Sequence, residues 1–278
     1  MGNMNLETKA REIRGIILDQ VFAFGNGHIA SAFSCTEILL YLYWRVLKVN
    51  AANPDWPDRD RLIISKGHGV SALYAILADL GFFPKKWLTA PQDGNLLGGH
   101  ADWKVPGIDW STGSLGHGLS IAAGMAQAAK MNGQNHRIFC LLGDGEIQEG
   151  SVWEAAMFAA HHSLKNLVVI VDYNRHQSCG PTGNIVNLGS VRDKFAAFGW
   201  YSTNTNGHNF QQLSSSLNCL LENKYSVPTA LIAYTNKGHG VSFIENDMHF
   251  HTGIPTQDQL LRAKKELGIL RTNELRLV

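Results

Sequence analysis

Cysteine is scarce in this chain of 278 residues: Cys35, Cys140, Cys179 and Cys219 stand apart, with no Cys-x-x-Cys pair. They read as reduced thiols of a cytosolic protein, not as a disulfide framework. Excess charge is also missing. The formal net charge is +1 and no basic run occurs, so nothing points to a nucleic-acid or membrane surface. The opening MGNMNLETKA has no apolar signal core, and no apolar stretch reaches the length of a membrane span. Internal repeats and low-complexity tracts are absent too. What remains is an ordinary globular composition, 45% hydrophobic and 17% charged, long enough for a substantial core in one or two domains. Histidine is the exception, at twelve residues.

The apolar spacing of residues 6–24 predicts a helix that stops at Gly25-Asn26-Gly27. Further helices are expected at 36–47, 70–80, 112–131, 149–163, 190–198, 211–223 and 256–267. Short apolar runs predict strands at RLIIS (61–65), HRIFCLL (136–142), LVVIVDYN (167–174) and TALIAYT (229–235). Residues 50–60 read as a loop and 90–112 as irregular. Strands alternating with helices imply an α/β fold, a parallel β-sheet flanked by helices on both faces. The nearly all-apolar 167–174 run suits a strand covered on both sides. The expectation is a single domain over 1–278 with a short C-terminal extension.

In such sheets ligands bind beyond the carboxyl ends of the strands. Asp144, Asn174 and Lys66-Gly67-His68 each follow a predicted strand, so they converge on that edge. Asp144 stands between Gly143 and Gly145, which invites two readings. The pair is a tight turn, or it lets the backbone approach a ligand through angles other residues resist. Asp144 and Asn174 are both hard oxygen donors, able to share a divalent ion. Mg²⁺ is typically held by one or two protein groups plus phosphate oxygens, and a helix starting near Glu149 would aim its N-terminus at the same phosphates.

Gly143-Asp144-Gly145, twenty-eight further residues and then Asn174, with Gln148-Glu149-Gly150 between, resembles the thiamine diphosphate motif of the transketolase family. RDRLIISKGH, GGHADWKVPGIDWSTGSLGHGLSIAAGMA and NKGHGVSFIEN are similar to transketolase stretches and come in the family's order. The resemblance implies a diphosphate-type domain binding thiamine diphosphate and Mg²⁺, with Asp144, the amide oxygen of Asn174 and the backbone carbonyl of His176 as metal ligands. It puts Gly116, Gly143 and Gly145 against the cofactor, and Glu149 near it, at an interface between subunits. His68 would bond a cofactor phosphate. His28 and His251 would handle the hydroxyl proton at the bond being broken, and His100 would bind the donor's terminal hydroxyl. Histidine's near-neutral pKa suits such work. His249 competes with His251 for its place. His117 stands where the family usually has glutamine, and His136, His161, His162 and His208 match no functional position.

The resemblance covers only the diphosphate-binding half of the family's architecture. The expectation is therefore one subunit of a cytoplasmic, two-chain transketolase, working as an α₂β₂ assembly on sugars or sugar phosphates. A separate C-terminal subunit would supply the pyrimidine-type and C-terminal domains. Two alternatives are the α subunit of a 2-oxo-acid dehydrogenase, against which SKGH, GGH and KGHGVSF speak, and a non-catalytic scaffold, against which the retained site residues speak.

Overall fold

A computed structural model describes residues 5–90, 96–222, 224 and 226–270; parts of the irregular segment and of the C-terminal extension lie outside them. Five strands, β1 (Arg61–Ile64), β2 (Ile138–Gly143), β3 (Leu167–Tyr173), β4 (Tyr201–Asn206) and β5 (Thr229–Tyr234), form one sheet in the order β1-β2-β3-β5-β4. Every pairing is parallel. This is the α/β class that the strand–helix alternation implies.

Strand side chains alternate between two cores. Leu62, Ile64, Phe139, Leu141, Val168 and Ile170 face one layer. That layer holds α1 (Leu6–Phe24), α2 (Ile29–Ser34), α3 (Thr36–Tyr41), α4 (Val70–Leu80), α9 (Phe210–Glu222) and α10 (Gln257–Glu266). Ile63, Cys140, Leu142, Val169 and Val171 face the other, made of α5 (Gly118–Met131), α6 (Gly150–His161) and α8 (Val191–Ala197), with the short α7 (Thr182–Ile185) between α6 and α8 in the chain. Burial on both faces explains why β2 and β3 read as continuous apolar runs, each buried Val, Ile or Leu contributing roughly 1.5–3 kcal/mol.

Helix α1 has the expected bounds because its ends are written locally. The Asn5 side chain accepts from the amides of Glu7 and Thr8, and Gly25 closes the helix at φ 64°. Helix α10 begins at a capping box between Thr256 and Gln259. The short α7, helix α2 and strand β4 are not expected from the sequence. Helix α2 is buried on every side and so has no amphipathic period. Strand β4 (YSTNTN) is polar because it is an edge strand, paired to β5 alone. The helix expected from residue 112 starts at Gly118, since residues 112–117 run irregularly over the strand ends.

That segment passes close to β1. A Cβ on Gly118 would lie 2.4 Å from the Cβ and 2.9 Å from the Cα of Ser65. Gly118→Ala is therefore expected to cost about 1–3 kcal/mol through overpacking, read as a lower midpoint in thermal denaturation. A wild-type midpoint would contradict this close packing.

Candidate active site

Gly143 pairs with Asp172 across β2 and β3, so Asp144 leaves the sheet beside Asn174. Both side chains are buried, at 3% and 5% exposure. The Asp144 carboxylate accepts from the amides of Gly145 (2.9 Å) and Arg175 (2.5 Å) and from the Thr182 hydroxyl (3.2 Å). Burial, and then the nearby Asp172 charge, push its pKa up to about 6. The Asn174 amide nitrogen donates to Ser34 Oγ (3.3 Å) and Asp172 Oδ2 (3.4 Å), while its oxygen accepts from the His176 amide (3.0 Å).

Gly143 and Gly145 do not do what conformational freedom would suggest. Neither has a positive φ, and Gly145 sits at an ordinary φ of −70°. The missing side chain is what matters. A Cβ on Gly145 would come 2.6 Å from the Gln177 side chain, which lines the cavity described below. Gly116 does need its conformation, at φ +86°, where a Cβ would lie 2.7 Å from that of Glu149.

Asp172, Glu146 and Lys237 have no place in the sequence analysis, and Lys66 stands there only as part of the edge, with no role. Asp172 is wholly buried and accepts from Lys66 Nζ, Ser34 Oγ, Thr235 Oγ1 and the Asn174 amide. Burial works against a charged Lys66, but Asp172 outweighs it and holds that pKa above 10.5. Glu146, also buried, accepts from the Ser65 hydroxyl and the amides of Gly116 (3.0 Å) and Gly143 (2.9 Å). Lys237 donates to the Gln177 carbonyl (3.2 Å) and contacts His251 Nδ1 (3.0 Å); burial, and then Lys66, lower its pKa to about 8. A charge inside the apolar β3 run, and lysines inside two of the transketolase-like stretches, were the available signals.

Histidines from four separate segments meet here. The His28 ring centroid lies 5.7 Å from that of His68, 5.6 Å from His100 and 5.4 Å from His251. His251 and not His249 joins the cluster; His249 is exposed, its ring against Phe250. His117 is exposed as well, its Nδ1 3.1 Å from the Leu115 carbonyl oxygen. Burial lowers the pKa of His28 and of His251 to about 4, with His100 and Lys237 adding to the shift at His28 and Lys237 and His28 at His251. Burial and Lys66 push His68 well down too. These three rings are neutral at pH 7.

A cavity of about 390 Å³ connects the groups. Every expected site residue lines it except Gly116, whose amide donates to Glu146 on the lining. Two buried atoms on this lining, His28 Nδ1 and Gln177 Nε2, have no hydrogen-bond partner, which fits a polar ligand. Asp144 is a buried carboxylate that forms no ion pair among the described residues, which fits a metal ion. With the amide oxygen of Asn174 it offers the hard donors that Mg²⁺ favours, and the two lysines suit phosphate.

The chain was compared with known proteins. The family model for the transketolase thiamine diphosphate binding domain matches residues 6–276. A 6-deoxy-6-sulfo-D-fructose transketolase subunit of Clostridium sp. is 40% identical over 266 residues, covering 95% of this chain and 96% of that protein. An apulose-4-phosphate transketolase subunit of Phocaeicola vulgatus is 39% identical over 264 residues, covering 95% and 94%. Human transketolase is 36% identical over 248 residues, covering 88% of this chain and 39% of its own. The solved transketolase of Campylobacter jejuni superposes with a TM-score of 0.90 at 30% identity, over 98% of this chain and 46% of that one. The chain thus spans nearly the whole of the two subunit relatives and less than half of the human and Campylobacter proteins. This chain belongs to the transketolase family and carries its thiamine diphosphate-binding domain.

Proposed function

We propose that the chain is the diphosphate-binding subunit of a transketolase, moving a two-carbon ketol unit from a ketose to an aldose. The observation that carries this reading is the meeting of Asp144, Asn174 and four histidines around one polar cavity at the strand ends. Asp144, the Asn174 amide oxygen and the His176 carbonyl would hold Mg²⁺. Lys66, Lys237, His68 and the unpartnered Gln177 amide would face the diphosphate oxygens. Thiamine diphosphate, when bound, supplies the electron sink for breaking the carbon–carbon bond beside a ketose carbonyl. The protein must hold the sugar, move its hydroxyl proton and keep water away.

The neutral state of the histidines suits that work. A neutral imidazole has a lone pair for a hydroxyl proton, which an imidazolium lacks. His28 is well placed to take it, because its Nδ1 has no other partner and three other histidine rings surround it. His251 shares the duty through its contact with His28, with Lys237 fixing its ring. His100 is exposed and so is accessible to the terminal hydroxyl of an entering ketose.

The relatives named as subunits support a second polypeptide, and we assign to it the pyrimidine-binding role, in an α₂β₂ assembly with this chain as one of two kinds of subunit. Their names also point to less common sugar substrates, a sulfonated ketose in one case and apulose 4-phosphate in the other. We infer the same class for this chain, ketose or aldose sugars or sugar phosphates. Among the described residues no helix is long and apolar enough to cross a membrane, and a cytoplasmic setting is part of the proposal.

Depressed folded-state values mean that the unfolded chain binds protons first as pH falls. His28 and His251 therefore lose stability for the fold progressively from about pH 6.5 down through pH 4. The imidazole Cε1–H resonances of these two residues are expected to titrate with midpoints near pH 4 in the free chain; midpoints near 6.5 would remove the neutral-base argument. For the function itself, the chain assayed alone should give no ketol transfer, and addition of its second subunit should restore it. Full transfer by this chain without any second subunit would refute the split reading.

A further inference from the structure

Behind the cavity wall lies a second cluster, linked to it through the segment that carries Asn236 and Lys237. Arg14 of α1 donates to both oxygens of Glu37 in α3, at 2.6 and 2.8 Å, and to the Phe33 carbonyl at 2.9 Å. Both partners of this pair are almost fully buried. Glu37 Oε2 also lies 2.9 Å from Nδ1 of His208, in the turn after β4. The Nε2 of His208 accepts the backbone N–H of Asn236 at 2.8 Å. An accepting Nε2 leaves the proton on Nδ1, so Glu37 fixes the tautomer that lets His208 hold Asn236. The next residue is Lys237, whose Nζ reaches the Gln177 carbonyl and His251.

Glu37, His208 and His239 have donor atoms within 4.8 Å of one another, the spacing of a metal site. That use fails on chemistry. Arg14 already occupies both Glu37 oxygens, and both His208 nitrogens are engaged. His239 instead stacks on His208, with ring centroids 3.7 Å apart. The arrangement resembles the carboxylate–histidine pairs that orient metal ligands, except that a backbone amide takes the place of the metal.

We propose that the Glu37–His208 pair is a positioning device: by holding the Asn236 amide it sets where the buried Lys237 ammonium stands against His251 and Gln177, two residues of the cavity lining. The assignment of Lys237 to the diphosphate rests on the proposed function above; the positioning does not. Two other bonds fix the segment further on, from the Gly238 amide to the Ala30 carbonyl (2.9 Å) and from the Asn246 amide to the Lys237 carbonyl (2.7 Å). On the β5 side Thr235 is tied to Tyr173 and Asp172, and His208 holds the part-buried Asn236 amide between that tie and Lys237. His208 itself contributes no group to the cavity lining, so it acts through Lys237 and not on a ligand.

Lys66 provides an internal reference, because its ammonium is tied to Asp172 and not to His208. In the full chain, trace acetylation with acetic anhydride followed by mass spectrometry reports both lysines at once. His208→Phe keeps a ring of similar size on His239 but neither hydrogen bond; His208→Ala removes both the ring and the bonds. In each variant the Lys237 to Lys66 labelling ratio should rise about tenfold over wild type, the factor for one buried hydrogen bond lost, with Lys66 itself unchanged. An unchanged ratio, or a parallel rise at both lysines as in a general loosening, would overturn the proposal. Protection of Lys237 by thiamine diphosphate with Mg²⁺ is scored separately in the wild type. Absent protection with the ratio change intact would fault the diphosphate assignment and leave the positioning role standing.

Discussion

The Asp172 carboxylate, wholly buried at the end of β3, is the interaction on which the site depends. It accepts from Lys66 at the end of β1, from Ser34 at the end of α2, from Thr235 just past β5 and from the amide of Asn174. One side chain thus ties three strand ends and a helix end together. Removing it would leave the Lys66 ammonium buried without a counter-charge, its other bonds going to the Ser31 carbonyl and the Ser34 hydroxyl, a change that costs on the order of 3–5 kcal/mol. A buried ion pair is weak evidence for stability as such. Its value here is geometric, since Asp172 takes the Asn174 amide nitrogen while the oxygen of that amide meets the His176 N–H.

The same carboxylate sets the electrostatics around it. Together with burial it keeps the Asp144 pKa near 6, and against burial it keeps Lys66 protonated. Lys237, by contrast, has no carboxylate in contact, and burial and Lys66 lower its pKa to about 8. In the proposed complex Mg²⁺ would offset the charge on Asp144, and the two lysines would offset part of the diphosphate. The His28, His68 and His251 rings stay neutral beside these cations, which is the state a proton acceptor requires.

Much of this was written locally in the sequence. The Asn5 and Gly25 caps bound α1, and apolar runs mark β1, β2, β3 and β5, because backbone rules and burial act on neighbouring residues. Asp144, Asn174 and the four histidines stood out through their motifs, and the fold gathers them. What stayed hidden depends on contacts between distant segments. Helix α2 is buried all round, β4 is a polar edge strand, and the irregular 112–117 segment is tied to the end of β1 by the Thr112 hydroxyl on the Ile64 carbonyl. Asp172 looked like one more residue of a buried strand, and its meaning comes from Ser34, Lys66 and Thr235, far away in the chain. His208 matched no functional position for the same reason, since Glu37 and Asn236 reach it only through tertiary packing.

Locating the metal tests the central claim most directly. Crystals of the chain loaded with thiamine diphosphate and Mn²⁺ in place of Mg²⁺ would show the ion in an anomalous difference map. The account predicts one peak within coordination distance of the Asp144 carboxylate, the Asn174 amide oxygen and the His176 carbonyl, with Asp172 still bonded to Lys66 and Asn174. A peak at Glu146 or at the Glu37–His208–His239 cluster, or bound cofactor with no peak beside Asp144, would contradict it.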